Sequence, residues 1–227
     1  MALRAIVFDF DGVIANSEPL HFRAFRDILA QSGVDLTQHD YYTRYLGFDD
    51  VGVFVNVGAD RGHAWTTRDV ADFVADKALR LEELERDGSV LFPGAADAIR
   101  RAAAAVPIAI ASGALGPEIR RILNGADLTG HFAAIVSAED TPASKPAPDP
   151  YVRAVELLRA TIAGPELKAS ECVAIEDSRW GLESARAAGL RTVGVTNTYD
   201  AVELALADLV IGSLADLNLE DLRRLVH

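Results

Sequence analysis

Leu3-Arg4-Ala5-Ile6-Val7-Phe8-Asp9-Phe10-Asp11-Gly12-Val13 lies at the start of the chain and decides how the rest is read. A run of strand-forming residues ends in two carboxylates one residue apart, and a glycine follows at once to let the backbone turn. Such a strand pushes charge out of its C-terminal end. In an open parallel sheet the crevice beyond those ends is where ligands bind, so Asp9 and Asp11 become the first candidate site residues. Asp-x-Asp also occurs in turns and Ca²⁺ loops; the apolar run before it and Gly12-Val13 after it favour the strand edge.

The 227 residues are 50% hydrophobic and 25% charged, the balance of a soluble globular protein with a substantial core. Lys and Arg number 22 against 34 Asp and Glu, a net charge of −12. That surface repels phosphate backbones and anionic lipid, so neither nucleic acid nor membrane is an expected partner, and no obligate protein partner is evident. Cys172 is the single cysteine and sits in the apolar run Cys172-Val173-Ala174-Ile175, which excludes an intrachain disulfide and suits a reducing cytoplasm. The chain enters its first strand after one Arg with no longer apolar signal, and the run 102–111 is interrupted by Pro107 and too short to span a bilayer. A soluble, cytoplasmic protein is expected.

Downstream of the opening strand, Leu20, Phe22, Phe25, Ile28 and Leu29 recur at near-helical spacing over 17–32, and Gly33 stops the helix. The texture continues over 41–57 and 66–84, where Val70, Phe73, Val74, Ala78, Leu81 and Leu84 form a stripe behind a Thr66/Asp69 cap. No strand-like alternation interrupts it, so residues 16–87 are expected to form a helical-bundle cap. Past Asp87-Gly88, helices at 93–105, 116–124, 148–160, 179–188 and 201–207 alternate with strands at 106–111, 133–136, 172–175, 192–195 and 208–211. Alternation on that scale implies parallel strands with helices on both faces. The expected fold is therefore α/β: a doubly wound, Rossmann-like parallel-sheet core, residues 1–15 and 88–227, with the cap inserted at 16–87.

Three later strands also run into polar residues: Ser112-Gly113, then Lys145 beyond an acidic loop, then Glu176-Asp177-Ser178. The sheet can bring all of them beside Asp9 and Asp11. In order and spacing, Asp9-Phe10-Asp11-Gly12-Val13, Ser112-Gly113, Lys145-Pro146-Ala147-Pro148-Asp149 and Glu176-Asp177-Ser178 resemble the four signature motifs of the haloacid dehalogenase superfamily. The chain looks like its β-phosphoglucomutase-like and phosphoglycolate-phosphatase-like branch, whose helical cap follows the first motif directly.

A phosphate monoester carries about −1.5 to −2 charges near neutrality. Among these four acids it would be repelled by about 4 kcal/mol per close unit pair at an effective dielectric near 20. Lys145 supplies one positive charge, and clustered carboxylate oxygens are the donors Mg²⁺ prefers; no His or Cys pair lies nearby to favour a transition metal. Chemistry and resemblance together make Asp9 the nucleophile that becomes an aspartyl phosphate, and Asp11 the general acid and base; the resemblance further implies the Asp11 backbone carbonyl on the metal. Ser112, with free N–H groups of Gly113 and Ala114, would hold the phosphoryl oxygens. Lys145 would neutralise charge on phosphorus and keep Asp9 ionised. The metal ligands expected are Asp9, Asp11, Asp177 and Glu176. Adjacent residues leaving a strand point apart, which also opens a supporting place for Glu176 behind the ligands.

The expected activity is a Mg²⁺-dependent phosphatase of a small phosphorylated metabolite, a sugar phosphate or phosphoglycolate. The rivals are a phosphosugar mutase of the β-phosphoglucomutase kind and a catalytically silent binding protein. Leu20-His21-Phe22-Arg23-Ala24-Phe25 resembles the mutases, but Tyr45-Leu46-Gly47-Phe48-Asp49-Asp50-Val51 places acids where they carry an arginine for a second phosphate. Intact Asp9 and Asp11 speak against a silent protein. His21, Arg44 and Lys77 are expected to be surface or packing residues. Nucleotide-phosphate loops, zinc-protease helices and nucleophile elbows are absent from the sequence.

Overall fold

A computed structural model of the chain describes residues 2–46, 48–86, 90–162 and 164–226. In chain order its main elements are β1 (Ala5–Phe8), α1 (Glu18–Gln31), the single turn α2 (Gln38–Asp40), a π-helical turn (Tyr41–Tyr45), α3 (Asp50–Asp60), α4 (Thr67–Arg86), α5 (Ala95–Ala105), β2 (Ile108–Ala111), α6 (Gly116–Gly125), β3 (Phe132–Val136), α7 (Asp149–Thr161), β4 (Cys172–Glu176), α8 (Arg179–Ala187), β5 (Arg191–Val195), β6 (Leu209–Ile211) and α9 (Leu219–Leu225). They divide into two compact units, one of Met1–Asn16 with Val90–His227 and one of Ser17–Ser89. The expected texture break at Asp87-Gly88 lies outside the described residues.

In the first unit the described strands form one parallel sheet in the order β3-β2-β1-β4-β5-β6. The chain winds outward from β1 through β2 to β3, then crosses to β4 and winds the other way. The doubly wound sheet expected from the alternation is thus present, and the direction of winding reverses between β1 and β4. Alternate side chains of β1, β2 and β4 feed two cores. Ile6, Phe8, Ile108, Ile110, Val173 and Ile175 pack on one face with Ile99 of α5, Ile119 and Leu123 of α6 and Leu222 of α9. Ala5, Val7, Ala109, Ala111, Cys172 and Ala174 face Tyr151, Ala154, Val155 and Leu158 of α7. Small residues on this second face let α7 settle close to the sheet.

One expected helix is absent. Residues 201–207 form successive turns bonded mostly three residues back, as from Ala207 N–H to the Leu204 carbonyl (2.9 Å). Leu204 is fully buried there and Val202 almost fully exposed, so no apolar stripe holds a helix to the sheet. The strand expected from Val106 starts at Ile108, after Pro107, which has no N–H for the ladder. Helix α9 went unforeseen, being only seven residues long.

The second unit is helical, as its sequence texture implies. Gly33, at φ 73°, ends α1 in a conformation that favours glycine. Thr66 and Asp69 cap α4 reciprocally, from Asp69 N–H to Thr66 Oγ1 (3.2 Å) and from Thr66 N–H to Asp69 Oδ2 (2.8 Å). Phe25, Leu29, Tyr41, Tyr45, Phe54 and Val57 fill the core. Lys77 is only 2% exposed; its Nζ lies 2.9 Å from Asp50 Oδ1, 2.9 Å from His21 Nδ1 and 4.7 Å from the Phe25 ring centroid. Arg44 is exposed and meets Asp60 at 2.6 Å.

A buried ammonium keeps its desolvation cost when its partner is removed. Asp50→Ala should therefore destabilise the chain by about 1–3 kcal/mol in urea unfolding. Lys77→Met, which removes the charge and keeps the volume, should cost less than about 1.5 kcal/mol in the same measurement.

Candidate active site

The site lies at the C-terminal ends of β1 and β4, where the winding reverses. Phe8 pairs with Ile110 on one side and with Ile175 on the other. Register therefore sets Asp9 beside Glu176 in the next strand, and the Asp9 N–H still donates to the Ile175 carbonyl (2.9 Å). By the two-residue period both acids point to the α7 face, the face shared by Val7 and Ala174. Asp9, Glu176 and Asp177 are 7%, 0% and 6% exposed, and among the described residues they form a group whose carboxylate oxygens lie within 4.8 Å of one another. Asp11 is partly buried on the turn after Asp9, and its carboxylate stands outside that group.

Lys145 enters from the loop before α7, and its Nζ lies 2.6 Å from both Asp9 Oδ1 and Glu176 Oε1. The buried Ser184 hydroxyl ties that loop to α8 by donating to the Ala147 carbonyl (2.5 Å). Glu176 also accepts from the Tyr151 hydroxyl on Oε1 (2.7 Å), and from Ser178 Oγ (3.2 Å) and the Asp177 and Ser178 N–H groups (3.2 and 3.4 Å) on Oε2. Ser112 is 2% exposed beyond β2, and its N–H donates to the Val136 carbonyl (3.0 Å). The Ala114 N–H, expected to be free, donates to Ser112 Oγ instead (3.0 Å), because the chain turns back over the serine before α6 begins. Gly113 is exposed with open space where a Cβ would stand.

Three carboxylates against one ammonium, all ionised, would leave an excess of two negative charges in a nearly dry place. Burial, then Glu176, pushes Asp9 well above the ordinary carboxylate range, while Lys145 pulls it back. Asp177 is raised to about 6 by burial and Glu176, against the Thr198 hydrogen bond. For Lys145, burial works against the charge, but Asp9 and Glu176 outweigh it and hold the ammonium protonated. Burial and Glu176 raise Tyr151 well above an ordinary phenol, so its hydroxyl keeps its proton and donates. Raised carboxyls made only of hard oxygen donors fit a divalent cation: its charge offsets the burial and the mutual repulsion that lift them, and nitrogen and sulfur ligands are absent from the group.

Two glycines make room for these acids. A Cβ on Gly181 would stand 1.9 Å from Glu176 Oε1, and one on Gly12, at φ 77°, 1.9 Å from Asp177 Oδ2. Asn197 and Thr198, in the loop after β5, also reach the site: Asn197 Nδ2 donates to the Gly12 carbonyl (2.8 Å), and Thr198 bonds Asp177. Sequence reading passed over both, although Thr196-Asn197-Thr198 is one more polar run at the end of a strand. Tyr151, two residues past Asp149, was missed because a tyrosine in the first turn of an amphipathic helix reads as core.

A family model described as haloacid dehalogenase-like hydrolase matches residues 3–189. The chain is 35% identical to the plasmid protein CbbY of Cupriavidus necator, over 94% of this chain and 87% of that one. It is 30% identical to hexitol phosphatase B of Escherichia coli (strain K12), over 96% of each. Among solved structures, a variant of CbbY from Rhodobacter sphaeroides in complex with xylulose-(1,5)bisphosphate superposes with a TM-score of 0.75 at 27% identity, covering 96% of this chain and 97% of that one. No helix among the described residues is long and apolar enough to cross a membrane.

Gly181→Ala must evict the Glu176 carboxylate and so displace Lys145. Turnover should fall on the order of a hundredfold, the scale of a misplaced catalytic group, with circular dichroism showing the fold retained. Asp177 binds its proton more tightly folded than unfolded, so the metal-free chain loses stability as pH rises from about 4 through about 6. Asp177→Asn should accordingly stabilise the metal-free chain more at about pH 8 than at about pH 5, read as the difference in melting temperature.

Proposed function

The chain belongs to the haloacid dehalogenase-like hydrolases, and on that premise we propose that it is a Mg²⁺-dependent phosphatase of small phosphorylated sugars that works through an aspartyl phosphate on Asp9. The observation that carries this reading is the buried Asp9 carboxylate, 2.6 Å from Lys145 and grouped with Glu176 and Asp177 at the reversal point of the sheet. Asp9 attacks phosphorus and the ester bond breaks, while Asp11 gives its proton to the departing alcohol oxygen. Water then yields a proton to Asp11 and attacks the same phosphorus; the bond to Asp9 breaks and inorganic phosphate leaves. Lys145 opposes the burial that would protonate Asp9 and offsets charge growing on the phosphoryl oxygens. Ser112 and the Gly113 N–H hold those oxygens.

Asp9, Asp177 and the Asp11 carbonyl would hold the Mg²⁺; Glu176, with both oxygens engaged by donors, stands with them chiefly to orient Lys145. Bound there, the ion supplies the positive charge that lets phosphate approach the carboxylates. The unit Ser17–Ser89 is the inserted cap that sets specificity. A sugar phosphate is favoured because the CbbY structure holds a sugar bisphosphate and another relative is a hexitol phosphatase. In the segment where the mutases carry an arginine, Asp49 caps α3 through the Gly52 N–H (2.7 Å) and Asp50 pairs with Lys77; residue 47 lies outside the described residues. Both acids thus serve the local fold, which favours hydrolysis over isomerisation.

Phosphate release is to be measured over a panel of pentose bisphosphates, hexitol phosphates, glucose 1-phosphate and phosphoglycolate, with Mg²⁺ and with chelator. Release should be fastest on a sugar phosphate, vanish with chelator, and be abolished by Asp9→Asn. Turnover surviving in Asp9→Asn refutes the nucleophile, and glucose 6-phosphate as the dominant product from glucose 1-phosphate with bisphosphate present refutes hydrolysis.

A further inference from the structure

We infer that Tyr151 is a positioning residue for this reaction, acting through Glu176 to hold the Lys145 ammonium against the Asp9 carboxylate. The inference rests on the phosphatase reading and adds to it a residue from outside the four motifs. Lysine has a long, flexible side chain, so two short contacts at 2.6 Å need acceptors that are themselves held in place. Glu176 is held from both ends. Ser178 Oγ and two backbone N–H groups fix Oε2, and the Tyr151 hydroxyl donates to the same Oε1 that receives Lys145.

Tyr151 also touches the ammonium directly, with Nζ 5.3 Å from its ring centroid. The ring is fully buried among Val7, Ala109, Ala111 and Ala174, so its hydroxyl cannot swing away from Glu176. By sharing the charge of Oε1, the hydroxyl limits the pull of Glu176 on Lys145 and leaves the ammonium divided between Glu176 and Asp9. Without it the ammonium shifts toward Glu176 and away from the carboxylate that must attack. A ring serving only the core would be equally served by phenylalanine, and that difference makes the role testable.

Steady-state phosphate release is to be measured for Tyr151→Phe, Glu176→Gln, the double variant, and Tyr151 replaced by para-aminophenylalanine, whose amino group can again donate. Tyr151→Phe should lower kcat about tenfold, the worth of one hydrogen bond to a charged group, with KM within about twofold of the parent and an unchanged melting temperature. The amino analogue should restore most of kcat. In the Glu176→Gln background, Tyr151→Phe should have little further effect, since the two residues act in series. Parental kcat in Tyr151→Phe, full additivity in the double variant, or a Tyr151→Phe chain that does not fold would each overturn the inference. Asp9→Asn is run alongside: turnover surviving there refutes the phosphatase reading itself, whereas a dead Asp9→Asn beside a fully active Tyr151→Phe refutes only the role of Tyr151.

Discussion

One ammonium among three buried carboxylates is the constraint on which the rest of the site depends. Lys145 sits 2.6 Å from Asp9 and from Glu176, with Asp177 in the same group, so the nearest charges would sum to minus two, were all three acids ionised, where water is largely excluded. Such a cluster is unfavourable in isolation, as the raised carboxyls at 9 and 177 record. The surrounding packing tolerates it, and its hard oxygen donors are of the kind that fit a divalent cation.

The architecture explains how that tension is contained. Alanines at 5, 109, 111 and 174 lower the sheet surface beneath α7, bringing Tyr151 down onto Glu176. Ser184 fastens the loop that carries Lys145, and Gly12 and Gly181 leave hollows that carboxylates occupy. Each of these residues is small where a larger one would pack more apolar volume. The active end of the sheet gives up core density to admit polar atoms, while the opposite face, with Phe8, Ile110 and Ile175, keeps the bulky packing expected of a stabilising core.

In the helical unit the same physics appears at smaller scale. Lys77 is nearly inaccessible, and its charge is met by Asp50, by His21 and by the face of Phe25. A surface or packing role describes it only in part: the side chain is buried, but as an ion with named partners. Asp49 and Asp50 are a helix cap and a counter-ion.

What the sequence determined by itself was whatever depends on near neighbours and on period: the parallel strands, their order of appearance with helices between them, and the polar residues at their ends. Strand Ala5–Phe8 and the acids after it follow from alternation and a glycine, and four ordered motifs carried the family. The segment 201–207 misled because alanine-rich composition favours helix locally, while anchorage through Leu204 alone made turns the better fit to the sheet. Only the tertiary structure decided that Tyr151 meets Glu176, that the Ala114 N–H is spent on Ser112, and that Gly181 and Gly12 lie beneath carboxylates. Those facts turn on distances between residues far apart in the chain, or on the direction of one N–H in a turn. Neither leaves a periodic trace, because they arise when β1 and β4 come into register and α7 and α8 close over their ends.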